Sequence, residues 1–484
     1  MIRIVIFFIF SFIFTSPSLN IDHSGYTNVY AINRISDASI IKVPFRLLSY
    51  DFNIDYKQFG ISSKFGIEHK IQNFDSNAPL SNIMYNLISN NNVDYKTEFR
   101  ELYLSFFPSF GELKFGKQLH SWGSVDINSP LDILNPTDYY YLFTDSDETK
   151  IGRESIVLDL YIKSLKMEFI VMNDHIPNNI PTSDPDFPIT LPAAAKDYQF
   201  LDLDKPIEYG AYIQNSFSNM DLAAYYFSGY DRTFNLYGAN VFSDDSDVNT
   251  LTDTIFSYRK TNMYGLSNVT FIGDLTLRAD LAYFETDAGD DSIESRPYSG
   301  QDLLSNYLDF NTLLSSTYFD VSAKYYQYCI QLEYPLPFDI DFTTQLFGYE
   351  TLEVNGNFVD IDIPNFEISL DATDLFFPGM GSSMSTLCKN GLVLNFTKTI
   401  MDDMLELQFT NLLDLKDKGR LTQFQLSYDI SDNINLSFLF YKGKGNADKY
   451  PDIIETEDFN ESLLYPFNAM EDFSHIRAQL QYFF

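Results

Sequence analysis

Between Ser474 and Phe484 the chain alternates: Ser474, Ile476, Ala478, Leu480, Tyr482 and Phe484 fall on one face, and His475, Arg477, Gln479, Gln481 and Phe483 on the other. Successive strand side chains project to opposite sides, so this period of two suits a strand with hydrocarbon on one side and water on the other. The same pattern recurs upstream in hairpins. Ile434, Leu436, Phe438 and Phe440 alternate with Asn435, Ser437 and Leu439, and across Ser431-Asp432 the residues Phe424, Leu426, Tyr428 and Ile430 alternate with Gln423, Gln425, Ser427 and Asp429. Leu275, Leu277, Ala279, Leu281 and Tyr283 alternate with Thr276, Arg278, Asp280 and Ala282. Charges such as Arg278 and Asp341 are costly against lipid but natural toward a lumen, so the polar row is predicted to be the inside.

Followed along the chain, this period predicts strands near 24–35, 44–56, 60–71, 96–107, 111–119, 153–163, 165–172, 207–217, 219–229, 258–271, 273–286, 322–335, 338–351, 388–399, 403–413, 420–430, 433–443 and 473–484. The connections sort by parity, short after even strands and mostly long after odd ones. This predicts an all-β, transmembrane antiparallel barrel of about 18 strands (roughly 16–18) with short periplasmic turns and long extracellular loops. Alternation begins soon after Ser18, which leaves no room for the N-terminal plug of an energised transporter. The expected organisation is a signal peptide over 1–18, where Arg3 precedes the apolar run Ile4–Phe14 and Ser16 and Ser18 supply small residues, and a barrel over 19–484. The apolar run is shorter than the roughly 20 residues of a membrane helix.

Composition adds to this picture. Aromatic residues make up 17% of the chain, with 34 Tyr and 45 Phe against one Trp, in keeping with interfacial girdles, although AT-rich codon usage would raise the same residues. A net charge of -35 excludes a nucleic-acid partner, since no basic patch is present to meet phosphates. Acidic runs at Asp244, Asp245 and Asp247, at Asp287, Asp290, Asp291 and Glu294, and at Glu455, Glu457, Asp458 and Glu461 read as solvated loops; acids facing the lumen would favour cations. Cys329 and Cys388 lie on separate strands with no metal-ligand or redox spacing, so neither a disulfide, a metal site nor a cofactor is expected.

The most distinctive segment is Gly116-Lys117-Gln118, then Trp122-Gly123, Asp126, and Pro130-Leu131-Asp132-Ile133-Leu134-Asn135-Pro136-Thr137-Asp138. It resembles an uncharacterised family of Gram-negative outer-membrane barrels, a domain-of-unknown-function family. That family shows Gly-(Lys/Arg)-Gln, Trp-Gly, an Asp and Asp-x-Leu-Asn-Pro-x-Asp in this order. The resemblance covers about residues 96–181 and implies a porin-like channel in the outer membrane, without catalytic machinery. The closing Gln-Tyr-Phe-Phe similarly resembles the terminal aromatic signal read by the barrel-assembly machinery, through Tyr482 and Phe484. The bilayer, lipopolysaccharide and small solutes are the other expected partners.

A connection as long as that between 119 and 153 is functional or disordered, and Pro130 and Pro136 near Asp favour ordered turns. The segment is expected to fold inward near 120–150 and to present Lys117, Gln118, Trp122, Asp126 and Asp138 to permeating solute, with Arg100, Lys114 and Arg153 opposing the acids across the pore. The competing expectation is that Trp122 anchors the barrel at the lipid interface. Of the five histidines, His23, His69, His120, His175 and His475, none is joined by a recognisable nucleophile and acid, so no enzyme is expected. The expected function is passive diffusion of small solutes, cation-favouring or substrate-selective; the alternative is a loop-plugged receptor, adhesin or structural barrel.

Overall fold

The computed structural model describes residues 19–71, 93–142, 148–181, 184, 186–188, 199–203, 206–243, 250–288, 293–294, 312–356, 359–363, 366–370, 372, 376–446 and 465–484. The expected signal peptide and the acidic runs at 244–247, 290–291 and 455–461 lie outside them.

Among the described residues, twenty-three strands follow in chain order: β1 (Leu19–Arg34), β2 (Phe45–Tyr56), β3 (Phe59–Ile71), β4 (Val93–Phe106), β5 (Gly111–Gln118), β6 (Arg153–Ile162), β7 (Leu165–Met172), β8 (Glu208–Ser216), β9 (Met220–Tyr230), β10 (Asn235–Ser243), β11 (Thr250–Ser257), β12 (Lys260–Ile272), β13 (Leu275–Asp287), β14 (Thr312–Tyr318), β15 (Val321–Leu336), β16 (Ile340–Gly356), β17 (Val359–Ile363), β18 (Phe366–Leu370), β19 (Asn390–Ile400), β20 (Leu405–Asp414), β21 (Arg420–Ser431), β22 (Ile434–Lys444) and β23 (His475–Phe483). Eighteen of these form one sheet, each pairing antiparallel with the next wall strand. The sheet closes where β1 pairs with β23, from Tyr26 opposite Phe483 to Arg34 opposite His475. Closure leaves the wall without a free edge strand, which hydrocarbon requires. Each of the eighteen predicted strands corresponds to one wall strand.

Alternation sets the two faces. Ile476, Leu480 and Tyr482 of β23 are exposed on the outside, whereas His475 and Arg477 are buried inside. Phe59, Leu102, Leu104, Phe115, Ile156, Val171, Leu266, Leu281, Phe409, Phe424 and Phe438 continue the apolar outer row around the wall. An apolar belt on a closed antiparallel sheet makes this a membrane-spanning barrel of the outer-membrane kind. Tight turns at one rim use left-handed residues, including Lys57 (φ 56°), Lys163 (φ 56°), Gly273 (φ 61°) and Asp339 (φ 55°). The long connections leave the other rim, where β10, β11 and β14 form a separate small sheet and β17 and β18 a hairpin.

The lumen is packed toward the long-loop rim. Trp122, Leu131, Ile133, Leu134 and Met380 from the connections meet Val157, Ile170, Phe227, Met263, Phe284 and Tyr325 from the wall. A second cluster joins Tyr139 of the short helix α1 (Tyr139–Leu142) and Phe467 and Met470 of α2 (Pro466–Asp472) to Phe347, Leu412, Leu421 and Tyr441. Each such large side chain contributes about 1.5–3 kcal/mol on burial, enough to hold these connections inside the barrel. Cys329 and Cys388 are both buried in this second cluster.

Candidate functional site

The segment between β5 and β6 crosses the lumen, and its sequence explains how. Trp122 is 3% exposed, its ring lies against Tyr212 and Tyr225, and its Nε1 donates to Glu168 Oε1 at 2.7 Å. The tryptophan therefore sits inside the barrel, which overturns the interfacial-anchor expectation. Gly123 follows at φ 95°, and a Cβ there would lie 2.0 Å from Ser129 Oγ and 2.6 Å from Asp280 Oδ2, so glycine lets the turn approach the far wall.

On that far wall, buried Asp280 of β13 collects the segment. It accepts from the Ser124 amide (2.8 Å) and hydroxyl (2.6 Å), from the Val125 amide (3.1 Å) and from Ser129 Oγ (2.6 Å). Arg278 Nη1 donates to the Ser124 carbonyl at 3.0 Å, Gln331 Nε2 to Asp126 Oδ2 at 2.6 Å, and Asn128 Nδ2 to Gln345 Oε1 at 2.7 Å. Asp280, Arg278, Gln331 and Gln345 are thus lumen-facing wall residues that dock the segment. The return leg is held by Asn135, whose amide donates to the carbonyls of Gln118 (3.2 Å) and Ile151 (2.7 Å) and whose Oδ1 accepts from the His120 amide (2.6 Å).

Two buried carboxylates pin this segment to the near wall. Glu208 of β8 accepts from Arg153 Nη1 (2.6 Å), Arg232 Nη1 and Nη2 (2.9 and 2.8 Å) and the Tyr230 amide (3.2 Å), and stands 2.9 Å from His175 Nδ1. Both arginines also reach the Leu134 carbonyl, and Arg153 Nη2 donates to the Asp174 carbonyl. Glu148, on the segment itself, accepts from Tyr26 Oη (2.7 Å) and Arg46 Nε (3.1 Å) and lies 2.5 Å from Arg100 Nη1. Arg100 is the extra residue where β4 bulges against β3, with Lys64 opposite Glu101 and Phe65 opposite Phe99; bulges of this kind re-aim a side chain.

Cavities lie along the β2–β7 side, two of which matter here. The outer one, of about 370 Å³, is lined by Arg46, Lys96, Arg100 and Lys150, by Glu98, Asp138 and Glu148, and by Ile151, Ile176, Pro177 and other residues. The inner one, of about 170 Å³, is lined by Glu101, Lys114, Gln118, His120, Ser121 and Glu168, among others. Lys150 joins the two linings. Its Nζ lies 2.6 Å from Asp132 Oδ2 and donates to the His120 carbonyl at 2.6 Å and to Ser121 Oγ at 2.8 Å. Burial pushes the Asp138 carboxyl up to about 6. Burial, with Lys114 and other nearby cations, pushes His120 down to about 3 and keeps it neutral at 3.0 Å from Ser155 Oγ.

The expected pore residues thus divide. Asp126 is exposed in the lumen and Asp138 lines the outer cavity. Gln118 is buried and bonds Ser155 Oγ at 2.8 Å, while also lining the inner cavity. Lys117 shares the outward row of Leu113 and Phe115, opposite Leu102 and Glu154, so it does not face the lumen. The opposed field across the pore is not formed: Arg100 pairs with Glu148, Lys114 with Glu112 (3.1 Å) and Asp159 (3.6 Å), and Arg153 with Glu208, all on one side of the barrel. Tyr325, an inner-face residue, fills space by stacking on Phe284 at 4.7 Å and donating to the Met380 carbonyl. Arg46, Glu148, Lys150 and Glu208 were not anticipated; isolated charges in a chain rich in them carry no periodic signal.

The closed wall, apolar belt and loop-filled polar lumen define a porin-like outer-membrane barrel. No family model matches the chain, and no curated protein matches it. Among solved structures it is similar to the outer membrane protein opdK from Pseudomonas aeruginosa, at 9% identity over 96% of this chain and 99% of that one, with a TM-score of 0.45. It is also similar to OccK2 (OpdF) of the same organism, at 10% identity over 96% and 97% with a TM-score of 0.45. Acinetobacter baumannii OccAB1 is 8% identical over 97% and 96% of the two chains, with a TM-score of 0.43.

Proposed function

We propose that this barrel is a channel for passive diffusion of small polar solutes, narrowed by the inward segment, with its path along the β2–β7 side. The observation that carries this reading is the pair of charged cavities on either side of the Lys150 contact. Charged space is present there, beside two clusters of apolar side chains packed in the described long-loop half. The outer lining sets four cations against three carboxylates, so any cation preference would arise from acidic residues beyond this cavity. The outward Tyr482 supports recognition of the last strand by the barrel-assembly machinery, and the apolar belt fits bilayer and lipopolysaccharide contact. The ordered roles of Gly123, Asn135 and Asp138 support grouping the chain with the barrels whose motif it resembles.

Single-channel conductance of the refolded full chain in a planar bilayer, with a salt gradient for the reversal potential, tests the proposal. Stable openings that grow in K150A are expected. A folded barrel that conducts in neither form favours the alternative, a loop-plugged receptor or structural barrel, which the apolar packing around Trp122 and Phe467 also supports.

A further inference from the structure

On the outward row of β21 and β22 the cross-strand partners run Tyr428 opposite Leu436, Leu426 opposite Phe438 and Phe424 opposite Phe440. The apolar belt ends there. Toward the long-loop rim the next outward pairs are Thr422 with Lys442 and Arg420 with Lys444. All three cations are exposed, whereas Leu421 and Tyr441 between them are buried inside. Like charges directly opposite on paired strands repel and cost stability. The chain holds 67 Asp and Glu against 32 Lys and Arg, and elsewhere on this rim outward cations do face acids. Lys117 stands opposite Glu154, Lys260 opposite Asp287 and Lys324 opposite Glu353.

Arg420, Lys442 and Lys444 have no ion pair or side-chain hydrogen bond among the described residues. On the adjoining turn, exposed Lys416 and Lys418 flank Asp417, while Asp414 is turned inward and accepts from Tyr465 Oη at 2.7 Å. On α2, Glu471 accepts from the Gly445 amide at 3.3 Å and Asp472 lies 3.5 Å from Arg34. A positive patch therefore sits directly above an apolar wall, on the side of the membrane where the long loops emerge.

We propose that Arg420, Lys442 and Lys444 form a binding site for the phosphorylated headgroup of an outer-leaflet glycolipid of the lipopolysaccharide type, whose acyl chains lie along Phe424, Phe438 and Phe440. Opposed Cα atoms are about 5 Å apart and residues two apart on a strand about 7 Å, so three such long side chains reach one phosphate. Phosphate oxygens accept charge-assisted bonds from guanidinium and ammonium groups, and a bound phosphate turns the cross-strand repulsion into shared attraction. Basic side chains at the end of a membrane-spanning element recognise anionic headgroups in this way. An amphiphile with an anionic head above acyl chains matches the order of the surface, whereas a free anion gains nothing from the belt. The inference rests on the orientation of the barrel and not on the channel reading.

Binding of bisphosphorylated lipid A to the refolded full chain in neutral detergent with EDTA is measured by thermophoresis, with the dephosphorylated lipid and inorganic phosphate as comparisons. The dephosphorylated lipid is expected to bind at least tenfold more weakly, and inorganic phosphate is expected not to displace lipid A. R420Q/K444Q should lower lipid A affinity at least tenfold, and K117Q/K324Q, which removes the same charge from the same rim, less than twofold. Lipid A should also raise the temperature of heat-modified migration in wild type but not in R420Q/K444Q. K442Q, expected to lower affinity at least threefold, carries the test should R420Q/K444Q not fold. Equal losses in the two double variants, or equal affinity for the two lipids, overturn the proposal. Displacement by inorganic phosphate makes the patch a site for free anions and overturns the lipid assignment.

Discussion

Glu148 and Glu208 are the same side chain solved twice. Each is a buried carboxylate held by two arginines, and each fixes one part of the inward segment to the wall. Around Glu208 both oxygens are saturated, the arginines also reach backbone carbonyls while Arg153 Nε stays buried without an acceptor among the described residues, and neither of the two cavities touches the carboxylate. Around Glu148 a guanidinium nitrogen likewise lacks an acceptor, but here a cavity of about 370 Å³ lies alongside. The difference teaches that a charge cluster is a sealed clamp or an accessible one according to what borders it, because solvent needs space to enter.

The largest expected effect follows from that contrast. E208Q leaves Arg153 and Arg232 buried without their counter-charge and should lower stability by about 3–5 kcal/mol, read by urea unfolding in micelles through the fluorescence of the single tryptophan. E148Q should cost clearly less, about 1–2 kcal/mol, because water from the cavity can solvate Arg46 and Arg100; equal losses would break the comparison. D280N, which weakens the acceptor for four segment donors at the far wall, should cost about 1.5–3 kcal/mol and broaden the distribution of conductance states. W122F keeps a ring between Tyr212 and Tyr225 but loses the bond to Glu168, for a cost of about 1 kcal/mol measured by the temperature of heat-modified migration.

The last effect is a pH dependence, small in wild type because two opposed contributions offset each other. The folded-state pKa of Asp138 is raised, so its contribution is fully present below its unfolded value of about 3.8 and is lost as pH rises through about 6. D138N should therefore stabilise the barrel relative to wild type at pH 7 and leave it unchanged near pH 3.5. His120 acts with the opposite sign: its folded pKa is depressed to about 3, so its contribution is present above about 6.5 and is lost as pH falls. In wild type the two slopes oppose each other between about 4 and 6, and D138N should expose the histidine's alone.

The wall was legible because a sheet between lipid and lumen imposes one strict period, seen in Phe424 to Ile430 or Ile476 to Tyr482. The strands outside it were not. β10 is buried on nearly every residue, from Asn235 to Ser243, so no alternation marks it. The inward course of the segment was legible from Trp122 and the two prolines, since a chain so furnished has apolar surface to bury. Its partners were not: Asp280 read as one more polar residue on the inner row, and nothing local distinguishes it from Asp341. Lys117 was misplaced because motif membership is not orientation, and its parity with Phe115 was the better guide.

A sheet rolled from eighteen strands is a thin shell, and such shells change cross-section more easily than they stretch. The described residues 119–142 and 148–152 between β5 and β6 fasten to β13, β15 and β16, so they act as a tie-bar across the shell. With the bar in place, squeezing the barrel along one axis must load the Asp280 contacts or the Glu148 contacts. Lateral pressure in the surrounding bilayer and occupancy inside the lumen are then two forces on one member, and a softer or stiffer membrane should shift how heavily those contacts are loaded.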